Sequence, residues 1–376
     1  MSGLYIHVPF CVRKCGYCDF YSLAQPGDRA APEAGLFLAA LDIELGRLPR
    51  RFRPETVFLG GGTPTELASG DLARLLDLVR RRVDLSRVVE WTCESNPGTL
   101  TREKALLLRE AGVNRVSLGI QSFEPRNLSF LGRIHTAEDA EAGVRLLREC
   151  GHRNLNLDVI FGIPGGSMET VARDIERAVA LEPDHIACYG LIFEEGTPLS
   201  TMRERGLVRP VEDDEEARQY EWIRAALARA GYRQYEISNY ARPGRECRHN
   251  LLYWSAGEYI GLGPSAHSHW EGARWANERD LGRWARALLS GRDPRAFEER
   301  LEPEARAREA LVMGLRRRDG WAREEFEAAT GFDWRALCGE AIERLSALGL
   351  LEEEGGRLRL AEKALFVSDA VLAELV

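Results

Sequence analysis

Two patterns alternate through the first half of the chain. Short runs with strand spacing occur at Leu4–Val8, Thr56–Leu59, Val88–Cys93, Val116–Ile120, Leu155–Ile160 and His185–Gly190. Between them lie longer stretches with apolar residues three and four apart: Glu33–Leu48, Asp71–Val83, Thr101–Ala111, Thr136–Cys150 and Met168–Leu181. Leu72, Leu75, Leu76 and Val79 share one helical face, which predicts a helix packed on one side. Thr101 is placed to cap its helix, and Gly112 and Gly151 to stop theirs. Strand–helix repeats of about thirty residues predict a parallel sheet with helices outside. The expected fold is α/β, a partial (β/α)6 barrel.

The pattern then changes. Asp213–Ala230 reads as a helix, followed by Tyr235–Ile237 and an irregular, Gly- and aromatic-rich stretch to about Trp275. From Leu281 charge density rises. Trp334–Leu348 predicts a helix stopped by Gly349, and Leu350–Leu360 a hairpin turned at Gly355 and Gly356. The expected division is 1–280, a barrel with an irregular extension, and 281–376, a small α+β module of winged-helix type. A DNA-binding role for that module is disfavoured because Glu352, Glu353 and Glu354 would repel phosphates beside the turn.

Length and charge narrow the classes. At 376 residues the chain exceeds one ordinary core. Its net charge of −8 disfavours a broad nucleic-acid surface. No apolar run is long enough to span a membrane, and the N-terminus lacks the basic start of a signal peptide. The expected compartment is the cytoplasm, with peripheral membrane contact and homodimerisation left open. Of the eight cysteines, Cys11, Cys15 and Cys18 fall on one short loop. In a reducing compartment such a cluster points to metal or redox chemistry rather than to disulfides.

The candidate chemistry sits just after predicted strands, where parallel barrels place their sites. Cys11, Cys15 and Cys18 follow the first strand and Gly60-Gly61-Gly62-Thr63-Pro64 the second. Glu94-Ser95-Asn96-Pro97, Gln121-Ser122-Phe123 and Phe161-Gly162-Ile163-Pro164 follow later ones, and Asp158 lies on the fifth. Iron–sulfur cubanes are normally held by four thiolates. Three on one loop would leave one iron open to a ligand. Zinc is the alternative, but its sites favour two separated pairs of ligands. Gly61 and Gly62, lacking Cβ, would let the backbone approach a ligand closely, and Thr63 would add an acceptor. Gly261-Leu-Gly263-Pro-Ser-Ala266 fits a dinucleotide fingerprint, but no helical pattern follows it, so a nicotinamide site is not expected.

The C-x3-C-x2-C loop after a first strand resembles the radical S-adenosylmethionine (SAM) superfamily. That resemblance implies a [4Fe–4S] cluster on Cys11, Cys15 and Cys18. Its open iron would bind the amino and carboxyl groups of SAM, and reduction would yield a 5′-deoxyadenosyl radical. It further implies SAM contacts by Gly61, Gly62, Thr63, Glu94, Gln121, Arg133 and Asp158, with Tyr5 and Tyr17 around the cluster and adenine. Tyr-Ile-His-Val-Pro-Phe-Cys, Gly-Gly-Gly-Thr-Pro-Thr, Glu-Ser-Asn-Pro, Asp-Val-Ile-Phe-Gly-Ile-Pro-Gly and Gly-Leu-Gly-Pro-Ser-Ala-His together resemble the oxygen-independent coproporphyrinogen oxidase family. Two departures stand out. Those oxidases have a fourth cysteine where this chain has Phe20, and a longer segment before the cluster loop. Cys-Asp-Phe and His249-Asn250-Leu-Leu-Tyr253-Trp254 are similar to the HemW-type haem chaperones of that family. This implies a protein that binds haem, with His249 in contact with it and Tyr253 and Trp254 against the porphyrin, and passes it to apo-haemoproteins. Cys247 is a less favoured ligand, and His7 is expected to support the cluster loop. The rival class is a radical enzyme, either a coproporphyrinogen decarboxylase or a related methyltransferase, which would need an electron donor to cleave SAM.

Overall fold

A computed structural model describes residues 1–24 and 32–376. Six parallel strands form its centre: β1 Ser2–Val8, β2 Thr56–Gly61, β3 Glu90–Ser95, β4 Arg115–Gln121, β5 Leu155–Phe161 and β6 His185–Gly190. They lie side by side in chain order, all pairs parallel. Helices α1 Pro32–Leu45, α2 Ser69–Arg82, α3 Arg102–Ala111, α4 Ala137–Glu149 and α5 Met168–Ala180 connect them. The local signals act as expected. Thr101 accepts from the Lys104 N–H, Gly112 takes φ +108°, and Thr136 with Asp139 forms a reciprocal cap.

Strand alternation explains where a site can form. Leu4, Ile6, Val8, Val57, Leu59, Val116, Leu118, Leu157 and Val159 are buried in the main core. The alternate positions carry Tyr5, His7, Glu94, Ser117, Asn156 and Asp158. Because side chains alternate across a strand, helices cover one face of the sheet and the other is left polar.

The helix expected at 213–230 forms, and the stretch after Ile237, expected to be irregular, is instead ordered. After α6 Asp213–Arg229, strand β7 Asn239–Ala241 pairs antiparallel with β6. Helix α7 Arg248–Trp254 then leads to β8 Glu258–Leu262, which pairs parallel with β1 on the opposite side of the sheet. Strands β9 His267–Trp270, β10 Ala273–Asn277 and β11 Arg295–Arg300 extend that side by antiparallel pairing. These strands are short, and their register comes from pairing with β1 and one another, so no long periodic run announces them. Among the described residues the sheet is open, with twelve strands.

The expected division at 280/281 falls within this stretch, since α8 Leu281–Leu289 packs on α1 and β11 edges the large sheet. Beyond it come α9 Pro303–Leu315, α10 Arg323–Thr330 and α11 Trp334–Ala347. With them is a small antiparallel sheet of Trp321–Ala322, Leu351–Glu354 and Arg357–Leu360. Gly355 and Gly356, at φ +58° and +74°, make the hairpin turn as the sequence predicts. Trp321, Phe326 and Trp334 pack as its aromatic centre. The decoy fingerprint is resolved too: Gly263 is followed by strand β9, not by a helix.

Candidate functional site

The polar sheet face and the loops at the C-terminal ends of β1–β5 bring most of the predicted residues together. Cys11, Cys15 and Cys18 are unpaired and half-buried, whereas Cys93, Cys150, Cys188, Cys247 and Cys338 are buried. Burial pushes the Cys18 thiol up to about 11 and raises Cys11 as well, with the neighbouring cysteines adding to both. Three thiols within electrostatic reach of one another, the thiolate forms of Cys11 and Cys18 disfavoured by burial, form a donor set that a cationic cluster would stabilise. Among the described residues no three His, Cys, Asp or Glu side chains converge on a point that could hold a single metal ion. A cubane requires no such convergence, because each thiolate binds its own iron.

The loop is anchored from several directions. Gly16 N–H donates to the Leu131 carbonyl at 3.2 Å, and Leu199 N–H to the Gly16 carbonyl at 2.9 Å. His7 is buried, with Nδ1 3.0 Å from the Tyr5 hydroxyl and Nε2 2.8 Å from the Tyr21 carbonyl. It ties β1 to the segment following the cysteines, the supporting position expected of it. Arg133 reaches the Cys15 sulfur at 3.6 Å and also donates to Asn96 Oδ1 and the Gly119 carbonyl.

Two half-buried carboxylates face this group. Glu94 Oε2 accepts from the Gly61 N–H at 3.1 Å. Desolvation, then the charge of Asp158, pushes its pKa up to about 8. Asp158 is raised by desolvation although Asn156 at 2.7 Å and Ser117 at 3.2 Å donate to it. Two carboxylates disfavoured as anions suit a ligand that brings a cation and hydroxyls. Gln121 ends β4 at φ +64°, next to an irregularity in its pairing with β5. Bulges of this kind re-aim side chains beside sites. Tyr17 interacts electrostatically with Arg133, Cys15 and Asp158, which places it in the same group.

The glycines are also required by the packing of the chain itself. A Cβ on Gly62 would lie 2.6 Å from the Phe10 carbonyl and 2.7 Å from that of Val8. One on Gly61 would lie 2.4 Å from the His7 ring, and one on Gly60 2.8 Å from Glu94 Oε2. The space a side chain would take is filled by the chain itself. Thr63 is likewise committed: Asn96 donates to its hydroxyl at 2.6 Å, and the Cys11 sulfur lies 3.7 Å away. Asn96, which joins Thr63 to Arg133, carried no sequence signal beyond its place in the loop after the third strand.

His249 lies elsewhere on the same face. Helix α7 starts on Glu90, whose carboxylate accepts from the N–H groups of Arg248 and His249 at 3.0 Å each and from the Cys247 thiol at 3.4 Å. The His249 ring is buried and stacks on Phe58 at 5.2 Å. Its Nδ1 is 2.8 Å from Thr56 Oγ1 and its Nε2 2.8 Å from the Tyr253 hydroxyl. Burial lowers its pKa to about 3. Both ring nitrogens are engaged, so in this geometry neither offers a position to a haem iron. Cys247, fully buried on Glu90, offers none either. Tyr253 and Trp254, at the end of α7, do border a groove of about 550 Å³ between β8–β11 and α9. Glu90 gave no sequence signal beyond being an acid on a strand.

With this geometry in hand, likeness to known proteins is informative. The family model described as Radical SAM superfamily matches residues 5–178, and that of the HemN C-terminal domain matches 301–367. Heme chaperone HemW of Mycobacterium tuberculosis H37Rv is 38% identical, covering 100% of this chain and 94% of its own. Its namesake from Lactococcus lactis is 34% identical over 100% and 97%. The solved coproporphyrinogen III oxidase HemN from Escherichia coli superposes with a TM-score of 0.86 at 20% identity, over 100% of this chain and 89% of that one. At that identity the superposition establishes the fold.

Proposed function

The chain belongs to the haem chaperone HemW family within the radical SAM superfamily, and from that premise we propose that it binds haem and passes it to apo-haemoproteins. In this reading Cys11, Cys15 and Cys18 would hold a [4Fe–4S] cluster, with the polar sheet face contributing to a SAM site. When bound, the cluster would supply an open iron and, once reduced by an electron donor, an electron; the chain's own residues bind and orient.

Glu94 and Asp158 would accept from the ammonium and ribose hydroxyls of SAM, and Arg133 would pair with its carboxylate. Gln121 and Tyr17 border the same space, and Tyr5 holds His7. Gly61, Gly62 and Thr63 keep the cysteine loop seated on β2. His249 orients Tyr253 and fastens α7 to β2.

The observation that carries a chaperone over an oxidase is position 20. Phe20 stands where the oxidases resembled by this sequence have a fourth cysteine, and its side chain is 60% exposed. No helix among the described residues is long and apolar enough to cross a membrane, in keeping with a cytoplasmic protein.

The test is anaerobic. The reconstituted chain is mixed with haem and, separately, with coproporphyrinogen. Stoichiometric haem binding, followed by transfer to an apo-haemoprotein without porphyrin product, is the expected result. Decarboxylated product formed in step with SAM consumption would replace this reading with the oxidase. Methylated product would point to the methyltransferases.

A further inference from the structure

The groove beyond α7 holds chemistry that the reading above leaves unused. Its volume of about 550 Å³ falls within the ~300–1,000 Å³ of sites for cofactor-sized ligands. Tyr259, His269 and Phe297 line it from the β8–β11 extension, Arg306 and Met313 from α9, and Trp254 from α7. Phe297 is 49% exposed. The indole N–H of Trp254 is buried without an acceptor.

Three histidines stand in this region, His267 and His269 lining the groove and His249 behind it, and they differ in what they can offer. His249 has both nitrogens bonded. His269 Nδ1 lies 3.3 Å from the Gly257 carbonyl, an acceptor only. Nδ1 therefore carries the proton, and Nε2 is left with its lone pair. That is the tautomer of metal-ligating histidines, which donate their second nitrogen to a carbonyl or carboxylate. The cations differ as well. Arg274 is bound to Glu299 and Glu309, whereas Arg306 forms no ion pair among the described residues. A flat apolar surface, a pre-set imidazole and an uncommitted guanidinium suit a planar iron tetrapyrrole with carboxylate arms.

We propose that this groove seats the haem, with His269 Nε2 as an axial ligand of the iron and Arg306 paired to a propionate. The proposal rests on the haem-carrying function above and locates it. The histidine lone pair forms the bond to iron and displaces a bound water, and no electron is transferred.

The experiment uses the full, cluster-reconstituted chain titrated with ferric haem and followed by Soret and electron paramagnetic resonance spectra. Haem release is timed with apomyoglobin as acceptor. His269→Ala should shift the Soret band, convert the iron signal, and release haem at least tenfold faster. Added imidazole should restore the wild-type spectrum, and iron–sulfur content should stay unchanged. Arg306→Ala should weaken binding of haem severalfold but leave binding of haem dimethyl ester as it was. A His269→Ala protein with wild-type spectrum and release rate, beside a His249→Gln or His267→Ala protein that loses both, would overturn the assignment while the haem-carrying function stood. A wild-type chain that binds no haem would overturn both.

Discussion

Replacing Gly62 with alanine tests how the cysteine loop is held. The new methyl would stand 2.6 Å from the Phe10 carbonyl, 2.7 Å from that of Val8 and 2.8 Å from the Phe10 nitrogen. All three are backbone atoms of the segment entering Cys11, so no side-chain rotation relieves the clash. Val8–Phe10 must move away from β2 by most of an ångström. That stretches the bonds from Gly62 N–H to the Val8 carbonyl at 2.9 Å and from Thr63 N–H to the Phe10 carbonyl at 2.6 Å. Overpacking of this kind costs about 1–3 kcal/mol, and each weakened hydrogen bond adds about 1 kcal/mol. The expected loss is about 3–5 kcal/mol, against about 5–15 kcal/mol for a typical domain, so the chain should still fold. Urea unfolding of the cluster-free protein should show the lower midpoint, and iron content after anaerobic reconstitution should fall with it. Gly70→Ala is the control: its Cβ meets nothing within 4 Å on α2, and it should be neutral or stabilising by up to about 1 kcal/mol. A Gly62→Ala protein with full iron and an unchanged midpoint, deficient only in SAM binding, would refute the packing argument and return this glycine to the ligand.

Replacing Cys11, Cys15 or Cys18 by serine should each remove most of the iron–sulfur chromophore, and a triple variant retaining four irons per chain would exclude the cluster site. Glu94, raised from 4.5 to about 8, favours folding most below about pH 4.5, and its contribution declines as the pH rises through 8. The cluster-free protein should therefore lose stability over that interval, and Glu94→Gln should flatten the loss; parallel urea midpoints across pH would contradict it. An ammonium beside the carboxylate draws off its proton, so SAM binding near pH 7 should release protons, read from calorimetry in buffers of different ionisation enthalpy. Glu90→Ala should cost about 2–4 kcal/mol, because two backbone N–H groups of α7 lose their acceptor and the buried Arg115 loses a nearby negative charge; a midpoint within error of wild type would show that water replaces the carboxylate.

The repeated strands and helices were legible in the chain because alternation and caps are local. Ser2–Val8 and Arg102–Ala111 carry their own periodicity and their own stops. The cysteine loop was legible for a similar reason, since three thiols on one short segment need no partner from elsewhere to be noticed. The likeness of Glu94, Arg133 and Asp158 to a known pattern implied SAM contacts for them, and the folded chain places Glu94 within electrostatic reach of Asp158, and Asp158 of Arg133.

Tertiary structure decided what each residue is free to do. At Gly62 the backbone of Val8 and Phe10 fills the space a side chain would take, a constraint the sequence did not show. His249 looked like an available imidazole, but Thr56, 193 positions away, takes one nitrogen and Tyr253 the other. The β8–β11 strands take their order from pairing with β1 across the sheet, an interaction between segments some 250 residues apart in the chain. Hydrophobic period and local capping are properties of neighbouring residues and are written in the sequence. Occupied volume and satisfied hydrogen bonds depend on distant segments, and they exist only once the chain has folded.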